Sequence, residues 1–363
     1  MGKKLIVVFL GLLLAIFVLY GCGNVIKEQV NPNMSTTPAS PPAGTTSVNL
    51  SGGSISGSGN SLNLGFLALD QNNQPLTNID LGNLGVSVYD SYPAALSALE
   101  VKGQGVVDAT ISLITNGANS STPLAVALTL DKSGSMAGSK IATLEIAAMQ
   151  FVDLMPKDSQ AAIINFDNRV SVAATMTTII TALKNAIVDE TDFFGSTAVY
   201  DAIHAALGQV IPVKTTDYVR AILAMTDGQD NYSTYTLNQI TAEAIVNGIP
   251  IYTIGLFTSS SEAASYRVPL VNIANSTTGN PAAYFEIIAG VTGLSAMSVK
   301  SLGSLTDLYT KLANALSKSY SVSCNLPSNL VANQQYWAVL HVNKFGTFDN
   351  LHVIKPFVAR AAQ

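Results

Sequence analysis

Three short polar fragments interrupt apolar sequence in the middle of the 363-residue chain: Asp131-Lys132-Ser133-Gly134-Ser135, Gly195-Ser196-Thr197 and Thr226-Asp227-Gly228. The first follows a continuous apolar run, Leu124 to Leu130, of the kind that forms a strand buried on both faces, and the third follows another expected buried strand, Val219 to Met225. Alternate side chains of an extended segment point the same way, so Asp131, Ser133 and Ser135 can converge while Lys132 and Gly134 turn aside. The oxygens of Asp131, Ser133, Ser135, Thr197 and Asp227 suit a hard ion, Mg²⁺ or Mn²⁺ by the same preference. No His or Cys is placed to favour zinc. Taken singly, each residue has a plainer use. Asp131 and Ser133 could cap the helix that follows, Thr197 the helix opening at Ala198, and Asp227-Gly228 could be a turn.

The elements that must position these fragments are legible as a change of period. After Leu130 a helix is predicted with Ile141, Leu144, Ile146, Ala147 and Phe151 on one stripe. Strands at Ala161 to Phe166 and Val170 to Ala174 lead to helices at Thr177 to Val188 and Ala198 to Val210. The strand Val219 to Met225, a helix at Asn238 to Asn247 and a strand at Pro250 to Leu256 continue the alternation. Such alternation means an α/β fold, a doubly wound and mostly parallel sheet with right-handed crossovers and helices on both faces. Ligands of such sheets bind beyond the carboxyl ends of the strands, where all three polar fragments lie.

From Pro123 to about Tyr320, some 200 residues, the arrangement resembles a von Willebrand factor A (VWA) domain, with every position of that family's metal-ion-dependent adhesion site (MIDAS) present. The resemblance implies that Asp131, Ser133, Ser135, Thr197 and Asp227 hold one divalent ion. We expect Ser133, Ser135 and Thr197 to coordinate directly and Asp131 and Asp227 partly through water. Five protein groups leave at least one octahedral position open. Hydroxyls contribute no charge, so if one carboxylate stays out of direct contact with the ion, the ion keeps positive character and should attract an acidic side chain, the Glu or Asp of a protein ligand that the resemblance also implies.

Around these residues, Phe193, Phe194, Tyr232 and Tyr235 are expected on the rim as a contact surface, or, for the two phenylalanines, packed under their own loop. Asp192, Asp201 and Asp230 lie close in sequence but outside the motif and are expected to be solvated. Phe257 to Pro281, with loop signals at Thr258 to Ser261 and Asn275 to Asn280, looks like an insertion of about 20 residues on the metal-bearing face. The family-like ending resumes at Phe285 to Gly293, Ser295 to Val299 and a helix at Leu305 to Leu316. His204 has no nucleophile in range, His341 and His352 lie in the tail, and no Ser/His/Asp set, phosphate-cradling loop or paired-carboxylate site is present, so catalysis has no support in the sequence.

The chain begins with Lys3 and Lys4, an apolar run from Leu5 to Tyr20, and Gly21-Cys22. This is the pattern of a secretory signal peptide, and its ending resembles a bacterial lipobox, which would make Cys22 the lipidated first residue of an exported protein. An uncleaved signal anchor is the alternative. Removing residues 1–21 takes two lysines and no acids, leaving 16 basic against 23 acidic residues, so the balance moves from -5 to -7. A basic nucleic-acid binder is excluded. The other thiol, Cys324, has no partner in such a chain and is expected in the core.

Residues 22–60 are expected to form the lipidated terminus and a flexible linker, since 24 of the 30 residues from Asn31 to Asn60 are Ser, Thr, Pro, Gly or Asn. Val48, Leu50 and Ile55 could begin a strand there. Residues 61–121 alternate short strands with turns, including Leu64 to Leu69, Gly85 to Tyr89 and Val106 to Ile114, and read as an all-β module. Asp70, Asn72 and Gln74 have the spacing of a calcium loop but lack its Gly and closing Glu, and read as a hairpin turn. Residues 320–363 carry three strands, expected to complete the β module around an inserted domain of residues 122–319, or else to pack as a separate hairpin. The reading is an exported bacterial lipoprotein, anchored at the outer membrane or cell surface, that uses a metal ion to hold a protein ligand in adhesion or envelope assembly. The alternative is a structural envelope component whose metal serves stability.

Overall fold

The computed structural model describes residues 40–58, 61–71, 74–95, 107–115, 123–188, 195–214, 218–279, 283–288, 298–299, 309–310, 312–313, 315–316, 318–326, 330–342, 345–347 and 351–359. Cys22, Phe193, Phe194 and Asp192 lie outside them.

The first four strands are β1 (Val48–Ser58), β2 (Ser61–Asp70), β3 (Leu84–Tyr89) and β4 (Val107–Thr115). They are followed by β5 (Leu124–Asp131), α1 (Ser139–Leu154), β6 (Gln160–Phe166), β7 (Val170–Thr177), α2 (Ile180–Ile187), α3 (Val199–Val210) and β8 (Val219–Thr226). Then come α4 (Leu237–Val246), β9 (Ile251–Phe257), α5 (Ser260–Thr278), β10 (Tyr284–Ile288) and β11 (Ser298–Val299). The last strands are β12 (Tyr320–Asn325), β13 (Gln335–Val342) and β14 (Leu351–Val358). The described residues between 309 and 316 are helical.

One sheet has the order β11-β10-β9-β8-β5-β6-β7. All its ladders are parallel except β6 with β7. Every residue of β5 is buried, as the unbroken apolar run requires. Its side chains divide by period two. Leu124, Val126, Leu128 and Leu130 enter a core with Leu144, Ala147 and Phe151 of α1, whereas Ala127 faces Ile203, Ala206 and Leu207 of α3 and Ile240 of α4. Successive strands run one way from β5 to β7 and the other way from β8 to β11, so the order reverses between β5 and β8. That boundary is where a doubly wound sheet opens a crevice.

The segment expected as an insertion is helical instead. Ser259 caps α5 by accepting the Glu262 N–H at 3.2 Å, and Thr258 donates its N–H to the Glu262 carboxylate at 2.6 Å. Ala263, Leu270, Ile273 and Ala274 are buried. The terminal Thr277 and Thr278 bury their hydroxyls by donating back to the Ile273 and Ala274 carbonyls at 2.8 and 2.7 Å. The Ser, Thr and Asn residues that resemble loop signals thus serve as cap and helix end. The segment is the crossover from β9 to β10, and it does not form a loop at the end of the sheet that carries Asp131 and Asp227.

The second sheet is antiparallel, in the order β1-β2-β12-β4-β3-β13-β14. β12 lies between β2 and β4, with Val322 opposite Leu64 on one side and Ile114 on the other, and β13 pairs with both β3 and β14. Residues before and after the α/β domain therefore build one module around it. Phe66 and Tyr320 stack at 4.7 Å, and the Tyr320 hydroxyl donates to the Leu76 carbonyl at 2.8 Å while accepting the Ile79 N–H. Cys324 is a free, buried thiol, and burial pushes its pKa up to about 12. The linker expected to reach residue 60 is shorter, because Val48, Leu50 and Ile55 are buried and β1 pairs along β2. The turn after β2 is closed by the Gln74 N–H donating to Asp70 Oδ1 at 2.8 Å.

β1 and β14 end the strand order without a shared ladder, and the α/β domain docks against both. The Ile55 N–H donates to the Gly248 carbonyl at 3.1 Å. Lys355, 2% exposed, donates to the Thr277 carbonyl at the end of α5, where the helix dipole favours a cation. Burial pulls its pKa down to about 7. Gly279 ends α5 with φ of 74°, and a Cβ there would stand 1.6 Å from the Ile354 carbonyl oxygen. Gly279→Ala is expected to destabilise the protein by about 2 kcal/mol or more in urea unfolding. Gly44→Ala, at φ of 87° but with nothing within 4 Å, should cost only about 1 kcal/mol.

Candidate metal site

Asp131 is the last residue of β5 and fully buried. Its Oδ1 accepts the Ser133 N–H at 2.8 Å, and its Oδ2 accepts the Thr226 hydroxyl from the end of β8 at 2.6 Å. The strand reversal between β5 and β8 thus places a charged group under the crevice and holds both its oxygens. The Ser133 and Ser135 hydroxyls are 3.2 Å apart, and Ser135 donates to Asp227 Oδ1 at 2.6 Å. Asp227, 1% exposed, also pairs with Lys140 on α1. Ser135 is exposed and marks the open side.

Thr197 arrives on a separate loop. The Gly134 N–H donates to the Gly195 carbonyl at 3.3 Å. Thr197 and Asn231 clamp each other: the Thr197 N–H donates to Asn231 Oδ1 at 2.9 Å, and the Asn231 N–H donates to the Thr197 carbonyl at 3.0 Å. A Cβ on Gly228 would meet Thr197 Oγ1 at 3.6 Å, so that hydroxyl lies beside the Asp227-Gly228 turn. The structure brings all five sequence-selected residues to one place.

Helix capping does not account for these side chains. Ser133 precedes a short 3₁₀ turn without a side-chain cap bond, the N-cap of α1 is Gly138, and that of α3 is Ala198. Lys132 turns away as alternation requires, burying its ammonium against Glu145 of α1 and the Ile187 carbonyl at the end of α2.

Several supporting residues were not selected from sequence. Thr226 and Lys140 hold the two carboxylates. Asp167, at the end of β6, accepts the Gly195 N–H at 3.1 Å, and its carbonyl accepts the Ala198 N–H at 2.8 Å. Burial raises the Asp167 carboxyl, but bonds from Arg169 and the Gly195 N–H outweigh it, and the group lies below its usual range. The signal available was Asp167 following the strand Ala161 to Phe166, the same strand-end placement as Asp131 and Asp227. Asp201 and Asp230 are engaged with protein as well as near solvent. Asp201 accepts the Thr234 and Tyr235 N–H groups at 2.8 and 2.9 Å, and Asp230 accepts the Ser233 hydroxyl at 2.5 Å. Tyr232 is 57% exposed, whereas Tyr235 stacks on His204 at 3.8 Å. His204 is 2.8 Å from Glu243.

A hard cation fits this donor set. Two buried carboxylates and three hydroxyls converge from three loops with one side open, and among the described residues there is no cluster of three or more His, Cys, Asp or Glu that could hold a metal ion.

Residues 125–289 match the family model of the von Willebrand factor type A domain. The inserted domain has the VWA fold. Among solved structures, the chain is similar to the von Willebrand factor domain of the type V pili tip protein from Porphyromonas gingivalis, at 13% identity over 53% of this chain and 94% of that one, TM-score 0.41. It is also similar to proximal thread matrix protein 1 of the mussel byssus, at 18% identity over 59% and 50% of the two chains, TM-score 0.43. A von Willebrand factor type A protein from Catenulispora acidiphila matches at 9% identity over 90% and 75%, TM-score 0.42. No curated protein matches the chain in sequence.

Burial raises the Asp131 carboxyl from 3.8 to about 6; bonds from Ser133 and Thr226 oppose the rise and the Asp227 charge adds to it. The folded VWA domain therefore holds a proton here that the unfolded chain has released. The contribution of this group to stability is present below the unfolded pKa and falls as pH rises from about 4 to 6. In EDTA, the stability of Asp131→Asn relative to the parent should increase across that interval, by an amount on the order of 2 kcal/mol. Paired thermal unfolding scans measure it.

Proposed function

We propose that the VWA domain binds Mg²⁺ or Mn²⁺ through Asp131, Ser133, Ser135, Thr197 and Asp227 and uses the ion to capture a protein ligand. The observation that carries this reading is the convergence of those five oxygen-bearing side chains around two carboxylates that are almost wholly withdrawn from water. A buried carboxylate is costly unless a cation or hydrogen bonds compensate it. When bound, the ion supplies a Lewis-acidic coordination position for an incoming acidic side chain. The chain's own residues do the rest. Thr226 orients Asp131, Asp167 holds the loop of Thr197, and Asn231 joins that loop to the one carrying Asp227. Lys140 neutralises Asp227 from the α1 side. Exposed Tyr232 adds an apolar contact beside the site, and no catalytic group is assigned to it.

The Lys3-Lys4, apolar Leu5 to Tyr20 and Gly21-Cys22 pattern supports a reading of export and lipidation at Cys22, and with it a role on a bacterial envelope membrane in adhesion or assembly. No helix among the described residues is long and apolar enough to cross a membrane.

Two measurements test the reading. In calorimetry, Asp131→Ala should abolish Mg²⁺ binding, and Thr226→Val should weaken it about 10- to 100-fold, as loss of a group that orients a ligand does. In affinity capture from the native envelope, a partner should be retained with Mg²⁺ and lost with EDTA or in Asp131→Ala, while circular dichroism stays native. Binding that survives EDTA would overturn metal-dependent capture. A sharp fall in thermal stability on chelation, without a metal-dependent partner, would favour the structural role.

A further inference from the structure

A cavity of about 310 Å³ opens where the β module meets the VWA domain, at the α5 C-terminus. One wall is the outer face of β13 and β14. Gln335 and Trp337 share that face by strand alternation, and Pro356 lies opposite Trp337 in the ladder. Asn275 and Ser276 of α5 form the facing wall, and Tyr92, 44% exposed, stands at the margin. The walls are held in place by the Gly279 and Lys355 contacts described above. Trp337 is the only tryptophan in the chain. It is half-buried, packed against Tyr89, Ala95, Val339 and Ile354.

The lining has a definite chemical character. Two aromatic residues, Trp337 and Tyr92, offer surfaces of the kind that are apolar on one side and wet on the other. Two amides, Asn275 and Gln335, each offer a donor and an acceptor, and no hydrogen bond is made by either side chain among the described residues. None of the described lining residues is charged. The volume is in the lower range of small-molecule sites, which occur preferentially at domain junctions.

We propose that this cleft is a binding site for a neutral saccharide. A pyranose ring presents an apolar C–H face for Trp337 and Tyr92 and adjacent hydroxyls, each donor and acceptor, for Asn275 and Gln335. An ionic ligand would find no countercharge among the described lining residues, and a purely apolar one would bury the two amides without partners. The site lies apart from Asp131 and Asp227 in the fold and needs no ion.

The single tryptophan makes the test direct. The full exported chain is titrated with neutral tri- and tetrasaccharides of glucose, mannose, galactose and N-acetylglucosamine while Trp337 emission is followed, with calorimetry in parallel. We expect a saturable emission change with at least one of them, unaltered by EDTA. Asn275→Ala with Gln335→Ala should weaken binding about tenfold. Trp337→Ala should abolish the calorimetric signal, and Trp337→Phe should retain part of it. Thermal unfolding shows that each variant is folded; should Trp337→Ala fail to fold, the phenylalanine and amide variants decide. No saturable response to any of these sugars, or binding undiminished in the folded amide variant, would overturn the proposal.

Discussion

The pairing of β12 with both β2 and β4 is the contact on which the rest of the architecture depends. It joins residues 320–325 to residues 61–70 and 107–115, separated in the chain by the whole VWA domain. Closing so long a loop costs chain entropy, and the return comes from apolar burial along the strands, including Phe66 against Tyr320. Once β12 is in place, both connections of the VWA domain are anchored in one sheet. The docking of β1 and β14 against Gly248, Thr277 and Gly279 follows at the remaining seam.

This arrangement has two functional consequences. The carboxyl ends of β5 and β8, with Asp131 and Asp227, lie at the crevice of the parallel sheet, whereas the C-terminus of α5 is occupied by the β module. The β module also supplies outward-facing Gln335 and Trp337 beside α5, which neither domain alone would enclose as a cleft.

At the crevice, the balance between burial and polarity is set by few groups. Charged residues make up only 11% of the chain, so individual ion pairs carry unusual weight. Lys132 with Glu145 stabilises the approach of α1, and Lys140 compensates Asp227. Asp131 has hydrogen bonds but no paired cation among the described side chains, and burial raises its pKa accordingly. The site thus joins one compensated carboxylate to one that a cation would further stabilise.

Much of this was legible locally. The apolar run before Asp131 specified a doubly buried strand and period-two alternation separated Ser133 and Ser135 from Lys132, while the expected stripe of α1 holds at Leu144, Ala147 and Phe151 but not at Ile146, which is two residues from Leu144, on the opposite side of the helix, and exposed. Less legible was α5, because Ser, Thr and Asn serve equally as loop residues and as caps, and only the buried stripe against β9 and β10 distinguishes the two uses. β1 was masked by its Ser and Gly content until its few apolar residues met β2. The sequence by itself determined the alternation of strands and helices from β5 to β9, the polar fragments at strand ends and the low charge content, since each rests on local periodicity or residue type. Only the tertiary structure decided that Thr226 holds Asp131, that Lys140 reaches Asp227, and that Trp337 faces α5. Those contacts arise between segments whose spacing along the chain carries no information about their distance in space.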